Sequence, residues 1–122
     1  MNNTVHVSTT GSQADITLID IRGFLDTMVA YTLQEQVNAL LEEGKDKYII
    51  NLEELEYISS AGIGFFSDLV LKLRKCQGQL IFIHIPEQVQ HLFKITRLIE
   101  IFTVGENMQD ALAKLDAVEE SV

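Results

Sequence analysis

Hydrophobic and polar positions follow two periods along this chain, and the periods predict alternating strands and helices. Alternating or continuous apolar runs predict strands, whereas apolar residues spaced three and four apart predict helices. The predicted strands are Thr4–Ser8, Asp15–Arg22, Lys47–Leu52, Gln79–Ile85 and Ile99–Val104. The predicted helices run from Asp26 or Thr27 to Gly44, from Ser59-Ser60 to about Cys76, through Val89–Ile95, and from Glu106 to about Val118.

The order of these segments predicts one α/β domain. The first two strands are separated by the turn Gly11-Ser12-Gln13, so we expect an antiparallel hairpin. The later strands alternate with helices, which favours parallel strands joined by right-handed crossovers. A chain of 122 residues has the length of one domain. We therefore expect residues 1–122 to form a single domain, with a mixed central sheet of about five strands and about four helices packed on it.

The stretch from Glu56 to Phe66 joins a buried strand to the second helix and carries two serine hydroxyls at the joint. Ser59 stands just ahead of the helix, so its side chain is our candidate for the N-cap. Gly62 and Gly64 are expected to leave backbone amides open near the positive end of the helix dipole. The serine pair is either only a helix cap or a site that holds one hydroxyl outward for phosphorylation. The physical chemistry of these residues leaves both interpretations open.

Several residues near the joint are candidates for contact with a partner. Phe65 and Phe66 point about 100° apart on a helix, so we do not expect both to be buried equally. Phe66 follows the core stripe, and we expect Phe65, or Ile63 beside it, to stay partly exposed as an apolar contact. Three acidic residues ahead of the joint form either a solvated loop or a docking segment, and they are Glu53, Glu54 and Glu56.

Three stretches together resemble the STAS domain family, and more closely its free-standing bacterial anti-sigma factor antagonists. They are Gly23-Phe24-Leu25-Asp26, Asn51-Leu52 through Gly64, and Pro86 through Leu98, in the usual family order. In that family the joint usually reads Asp-Ser-Ser-Gly or Asp-Ser-Thr-Gly, and the serine after the aspartate is phosphorylated. Matched on the glycine, the resemblance implies phosphorylation of Ser60 and puts Ser59 where the aspartate usually stands. Phosphorylation of Ser59 is the alternative.

The resemblance also implies partner switching. In that scheme the unmodified protein, a monomer when free, binds an anti-sigma factor that is also a serine protein kinase. Phosphorylation releases the complex, and a serine phosphatase restores the binding form. Asp26 takes a family position near the phosphorylation site, while Ser59 and Gly62 shape the loop. The expected partner-binding residues are therefore Asp26, Ser59, Gly62, Ile63 and Phe65.

Two other functions stay open beside partner switching. STAS domains also serve as scaffold subunits of signalling or lipid-transport complexes, without a reversible phosphorylation. A sensor of nucleotides or small anions is the second alternative, because the amides near Gly62 and Gly64 resemble an anion-binding nest.

Charge and composition argue against several other classes. Eighteen acidic and nine basic residues give a formal charge of −9, which repels nucleic acid and acidic membrane surfaces. No apolar run approaches the ~20 residues of a membrane-spanning helix. The polar start lacks the charged and apolar regions of a signal peptide, so we expect a cytoplasmic protein.

The residues also lack the patterns of enzymes and metal sites. The chain contains no phosphate-binding loop, dinucleotide-binding turn or nucleophile elbow. Neither serine of the joint has a neighbouring His or Lys as a general base, so we expect no enzyme activity and no cofactor. The candidate metal ligands are scattered without ligand spacing, and they are His6, Cys76, His84 and His91.

Overall fold

The computed structural model describes residues 5–120, and it describes the side chains of residues 5–115. The strands are β1 (Val5–Thr10), β2 (Ile16–Ile21), β3 (Gly23–Leu25), β4 (Lys47–Asn51), β5 (Leu55–Ile58), β6 (Gln79–Ile83) and β7 (Thr103–Gly105). The helices are α1 (Thr27–Glu42), α2 (Ser60–Lys75), α3 (Glu87–Ile95) and α4 (Met108–Glu120). Thr4, which belongs to the first predicted strand, lies outside the described residues.

A five-stranded mixed sheet with the order β1-β2-β4-β6-β7 forms the centre of the molecule. β1 pairs antiparallel with β2, whereas β2, β4, β6 and β7 run parallel. The predicted hairpin, the parallel crossovers and the α/β class are therefore confirmed. Every helix within residues 5–120 is too short or too polar to cross a bilayer.

The strands of the central sheet send alternate side chains into two cores. On β4, Tyr48 and Ile50 face the larger core, which the sheet forms with α1, α2 and α3, while Ile49 faces a smaller core beneath α4. Four aromatic rings with centroids 4.7–6.3 Å apart fill the larger core between α2, α3 and the sheet, and they belong to Phe66, Phe82, Phe93 and Phe102. The larger core fixes α2 on the sheet and so positions the joint.

Two short strands were missed by the sequence periodicity. β3 and β5 pair in parallel as a separate two-stranded sheet beside the central one. Gly23, with a φ of 67°, makes the turn from β2 into β3, and its amide donates to the Glu54 carbonyl at 2.9 Å. Segments of three and four residues are too short to show a period, so only the fold reveals their pairing.

The predicted strand Ile99–Val104 was wrong in its first half. Leu98–Glu100 forms a 3₁₀ turn after Arg97, whose φ is 64°, and β7 begins only at Thr103. Apolar residues of this turn pack against the larger core. A turn that partly buries its apolar side chains therefore has the same continuous apolar run as a buried strand.

Candidate functional site

The two-stranded sheet brings the N-termini of two helices to the same edge of the molecule. β3 leads through Asp26 into α1, and β5 leads through Ser59 into α2. Leu25 and Ile58 are register partners, so Asp26 and Ser59 each stand one residue beyond a paired position. The Ser59 amide donates to the Leu25 carbonyl at 2.9 Å, which ties the two strand ends together.

Both residues cap the helix that follows them. The Val29 amide donates to Asp26 Oδ1 at 2.9 Å, and the Gly62 amide donates to Ser59 Oγ at 3.1 Å. Each bond satisfies one of the amides that a helix N-terminus leaves without an intrahelical partner. The predicted caps are therefore confirmed, with Asp26 rather than Thr27 capping α1.

The capping geometry gives the two serines of the joint different surroundings. Ser59 is half-buried, and its hydroxyl is engaged by the Gly62 amide. Ser60, the first residue of α2, is exposed. Within the part of the chain that the structure describes, no protein group hydrogen-bonds the Ser60 hydroxyl. The Ser59 hydroxyl is thus part of the helix cap, while Ser60 is exposed to solvent at the start of α2.

The structure corrects two expectations about α2. The Gly62 amide is not open to an anion, because the Ser59 hydroxyl already accepts its hydrogen bond. Phe65 is not exposed: only 5% of its surface is accessible, and Phe66 beside it is fully buried. α2 packs against α1 as well as the sheet, so a second face of the helix is covered. Ile63 remains half-buried.

A small groove lies between α1 and α2. Its volume is about 180 Å³, and its lining residues are Thr27, Ala30, Tyr31, Gln34, Ala61, Gly64, Phe65 and Asp68. Gly64 lies four residues after Ser60, which places both on one face of α2. The groove therefore lies one helical turn after Ser60 along α2.

A larger open cleft lies between β5 and α3. Its volume is about 830 Å³, and its lining residues are Leu55, Glu56, Pro86, Glu87, Gln88, Gln90, His91 and Lys94. Two carboxylates and one lysine give this cleft no excess of positive charge for an anion. Among the side chains of residues 5–115, no group of three or more His, Cys, Asp or Glu residues could hold a metal ion.

The surface around the joint is both apolar and acidic. Phe24 of β3 and Tyr57 of β5 are exposed and in contact, with ring centroids 5.8 Å apart. Three exposed acidic residues follow β4 or lie on β5, and they are Glu53, Glu54 and Glu56. The sequence predicted these acids but missed the aromatic pair, because the pairing of β3 with β5 is visible only in the fold.

Comparison with known proteins finds a matching family model and relatives of similar length. A family model described as STAS domain matches residues 8–111. The protein BtrV of Bordetella bronchiseptica is 28% identical over 93 residues, which cover 76% of this chain and 80% of BtrV. An anti-sigma-B factor antagonist of Staphylococcus aureus is 25% identical over 91 residues, which cover 75% of this chain and 84% of that protein.

Solved structures share the fold. The Thermotoga maritima protein TM1081 has a TM-score of 0.83 at 17% identity, with 90% of this chain and 92% of that chain covered. The anti-sigma factor antagonist SpoIIAA in its unphosphorylated form has a TM-score of 0.74 at 16% identity, with 94% and 97% covered. SpoIIAA from Bacillus in its phosphorylated form has a TM-score of 0.72 at 16% identity, with 90% and 99% covered.

Proposed function

Because the chain belongs to the STAS domain family, we propose that it is an anti-sigma factor antagonist that acts by partner switching. The unmodified chain binds an anti-sigma factor that is also a serine protein kinase. The kinase phosphorylates Ser60, the complex separates, and a serine phosphatase returns the chain to its binding form. One observation carries this proposal: Ser60 is exposed at the start of α2, beside a serine whose hydroxyl is already engaged.

The assignment to Ser60 rather than Ser59 follows from accessibility. A kinase needs a hydroxyl that can reach the kinase active site. Ser59 is half-buried, and its hydroxyl accepts a hydrogen bond from the Gly62 amide. Phosphorylation of Ser59 would have to break this cap, whereas phosphorylation of Ser60 leaves it in place. The relatives support a regulatory role, since one is named an anti-sigma-B factor antagonist and SpoIIAA has been solved with and without phosphate.

A phosphate on Ser60 is compatible with the fold beneath it. It adds about −1.5 to −2 charges at the positive end of α2, where negative charge is favourable by about 0.3–1 kcal/mol. The effect of modification must then fall on the interface with the partner. When a partner covers the site and excludes water, the desolvated phosphate costs on the order of a few kcal/mol. Since each 1.4 kcal/mol is about tenfold in affinity, this is enough to separate a micromolar complex.

We predict that Ser60→Asp keeps the fold and loses the partner. The aspartate places negative charge at the same helix mouth without removing a buried contact, because Ser60 is exposed. Circular dichroism should give a melting temperature at least as high as that of the wild type, and calorimetry with the purified anti-sigma factor kinase should show at least about tenfold weaker binding. Ser60→Ala should bind as the wild type does and should not be phosphorylated.

Ser12→Asp provides a matched control, because Ser12 is exposed in the turn between β1 and β2, at the end of the sheet where the parallel strands begin, whereas the joint lies beyond the ends at which strands finish. It adds the same charge to the chain and should bind normally. Full binding by a folded Ser60→Asp protein would refute the proposed switch.

The site of phosphorylation is tested by mass spectrometry of the protein purified from its own host. We expect phosphate on Ser60. Phosphate on Ser59 would instead mean that the cap opens for the kinase. If no phosphate forms with the host's kinases and ATP, a non-switching scaffold subunit is favoured. Stabilisation by a nucleotide or small anion in a thermal shift assay would favour the sensor.

A further inference from the structure

Exposed hydrophobic side chains are concentrated around the joint. Seven large hydrophobic residues are exposed in the described part of the chain, and four of them lie on the segments that flank Asp26 and Ser59. These four, with their exposed fractions, are Phe24 (59%), Met28 (74%), Tyr31 (63%) and Tyr57 (50%). A group of exposed apolar side chains at one place marks an interaction site, whereas single ones need no explanation. The four residues are called the apolar face below.

The apolar face is continuous with the phosphorylation site. Phe24 and Tyr57 are register partners on β3 and β5, immediately ahead of the two caps. Met28 and Tyr31 are three residues apart on α1, which places them on one side of that helix. Tyr31 also lines the groove between α1 and α2, whose lining includes Gly64, one helical turn after Ser60. A partner that covers the apolar face would therefore cover the Ser60 hydroxyl as well.

Acidic side chains border the apolar face. Asp26, Glu53, Glu54 and Glu56 are all exposed, and the cation Arg22 lies 3.4 Å from Glu54 in an ion pair. The whole chain carries a formal charge of −9. A second copy of this chain would bring the same acidic border against itself, and like charges in close contact are repulsive. The occupant must instead present an apolar surface bordered by Lys and Arg.

We infer that the apolar face is the surface on which the unmodified chain docks the anti-sigma factor kinase, through an apolar patch of the kinase bordered by basic residues. This inference rests on the proposed function and adds the docking surface and the chemistry of its partner. The aromatic and Met side chains supply the buried centre of the interface, and the four acids supply its polar rim. A phosphate on Ser60 would have to lose its hydration beneath the apolar part of the partner. This cost explains why the phosphorylated chain releases the kinase.

Substitutions in the centre of the interface and in its rim should change different rate constants. Truncation of buried anchors speeds dissociation, because the packed contacts hold the complex together. Loss of rim charges slows association and weakens its dependence on salt, because these charges steer the encounter.

The test uses the full chain, without ATP, and each purified anti-sigma factor kinase of the host in surface plasmon resonance. The anchor variants are Phe24→Ser, Met28→Gln, Tyr31→Ser and Tyr57→Ser. Two exposed hydrophobic residues outside the apolar face provide matched controls, Leu71→Gln and Ile95→Gln. All six remove an exposed side chain, so circular dichroism should show that they fold. We expect about tenfold faster dissociation for the anchor variants and less than about twofold change for the controls.

The rim is tested with the triple variant Glu53→Gln, Glu54→Gln and Glu56→Gln. We expect about tenfold slower association at low salt and a flatter dependence on ionic strength, with little change in dissociation. A kinase that binds the wild type and every folded anchor variant within about twofold would overturn the docking surface but leave the switch standing. Concentration-dependent dimers of the wild type in sedimentation, lost in Tyr57→Ser, would assign the face to a second copy. If no kinase binds the wild type, both the proposed function and this partner are refuted.

Discussion

At the scale of single residues, the two glycines of α2 have opposite surroundings. Gly62 is buried, and a Cβ added there would lie 2.9 Å from side-chain atoms of Leu25 and Ile58, closer than real contacts allow. Gly64 is exposed, and apart from its chain neighbours and the backbone of its own helix no atom lies within 4 Å of an added Cβ. Gly62 thus lets the start of α2 approach the ends of β3 and β5, while Gly64 has no comparable packing role.

We predict that alanine at these positions shifts stability in opposite directions. Gly62→Ala overpacks a filled site and should lower the free energy of unfolding by about 1–2 kcal/mol. Gly64→Ala meets open space in a helix and should raise it by about 0.5–1 kcal/mol. Urea denaturation measures both, and each variant serves as the other's control. Equal effects would show that α2 does not pack at Gly62 as described.

Among the elements, the residue just before each of α1 and α2 is both a helix cap and part of the candidate site. Asp26 ends a strand, caps α1 and stands beside Ser59, so a loss of partner binding on its substitution has two possible origins. Asn caps helices about as well as Asp but carries no charge. A pair of substitutions therefore separates the cap from the charge.

We predict that Asp26→Ala lowers the free energy of unfolding by about 1 kcal/mol, because the Val29 amide loses its acceptor. Asp26→Asn should cost less than about 0.5 kcal/mol, since the cap is kept. Chemical denaturation gives both values. Because the Asn variant keeps the helix intact, any change in its association rate with the kinase reports the charge alone. Equal destabilisation by both substitutions would show that the cap contributes nothing.

Some features of these elements could be predicted from the sequence alone, and others could not. Both N-caps and the extent of α2 could be predicted, because a polar side chain ahead of an apolar stripe is a local signal for the start of a helix. The burial of Phe65 depends on α1 packing beside α2, and the exposure of Tyr57 depends on the pairing of β3 with β5. Both are contacts between distant segments, for which one sequence carries no local signal. On α1, Met28 and Tyr31 fall off the apolar stripe, and this pattern was the available clue to the apolar face.

At the scale of the whole molecule, the two faces of the sheet are covered unequally. Within residues 5–115, three helices cover one face, whereas α4 is the helix that forms the smaller core on the other. Ala111 of α4 is fully buried there, and Ala113 two residues later is exposed. In the described part of the chain, the smaller core therefore depends on the packing of α4.

We predict that Ala111→Asp detaches α4 and exposes the isoleucines of the smaller core. Burial of an unpaired carboxylate is among the most destabilising changes, and we expect a loss of at least about 3 kcal/mol. Increased fluorescence of a hydrophobic dye and a lower melting temperature measure the effect. Ala113→Asp adds the same group to the same helix at an exposed position and should change little. Similar behaviour of the two variants would contradict the described packing of α4.

The placement of the three tyrosines gives the molecule a built-in set of spectroscopic reporters. The chain has no tryptophan and three tyrosines. Tyr31 and Tyr57 are exposed on the apolar face, while Tyr48 is buried in the larger core, where burial and nearby acidic groups raise its pKa to about 12. With fluorotyrosine incorporated, binding of a partner at the apolar face would shift the ¹⁹F resonances of Tyr31 and Tyr57. The resonance of the buried Tyr48 would stay unchanged.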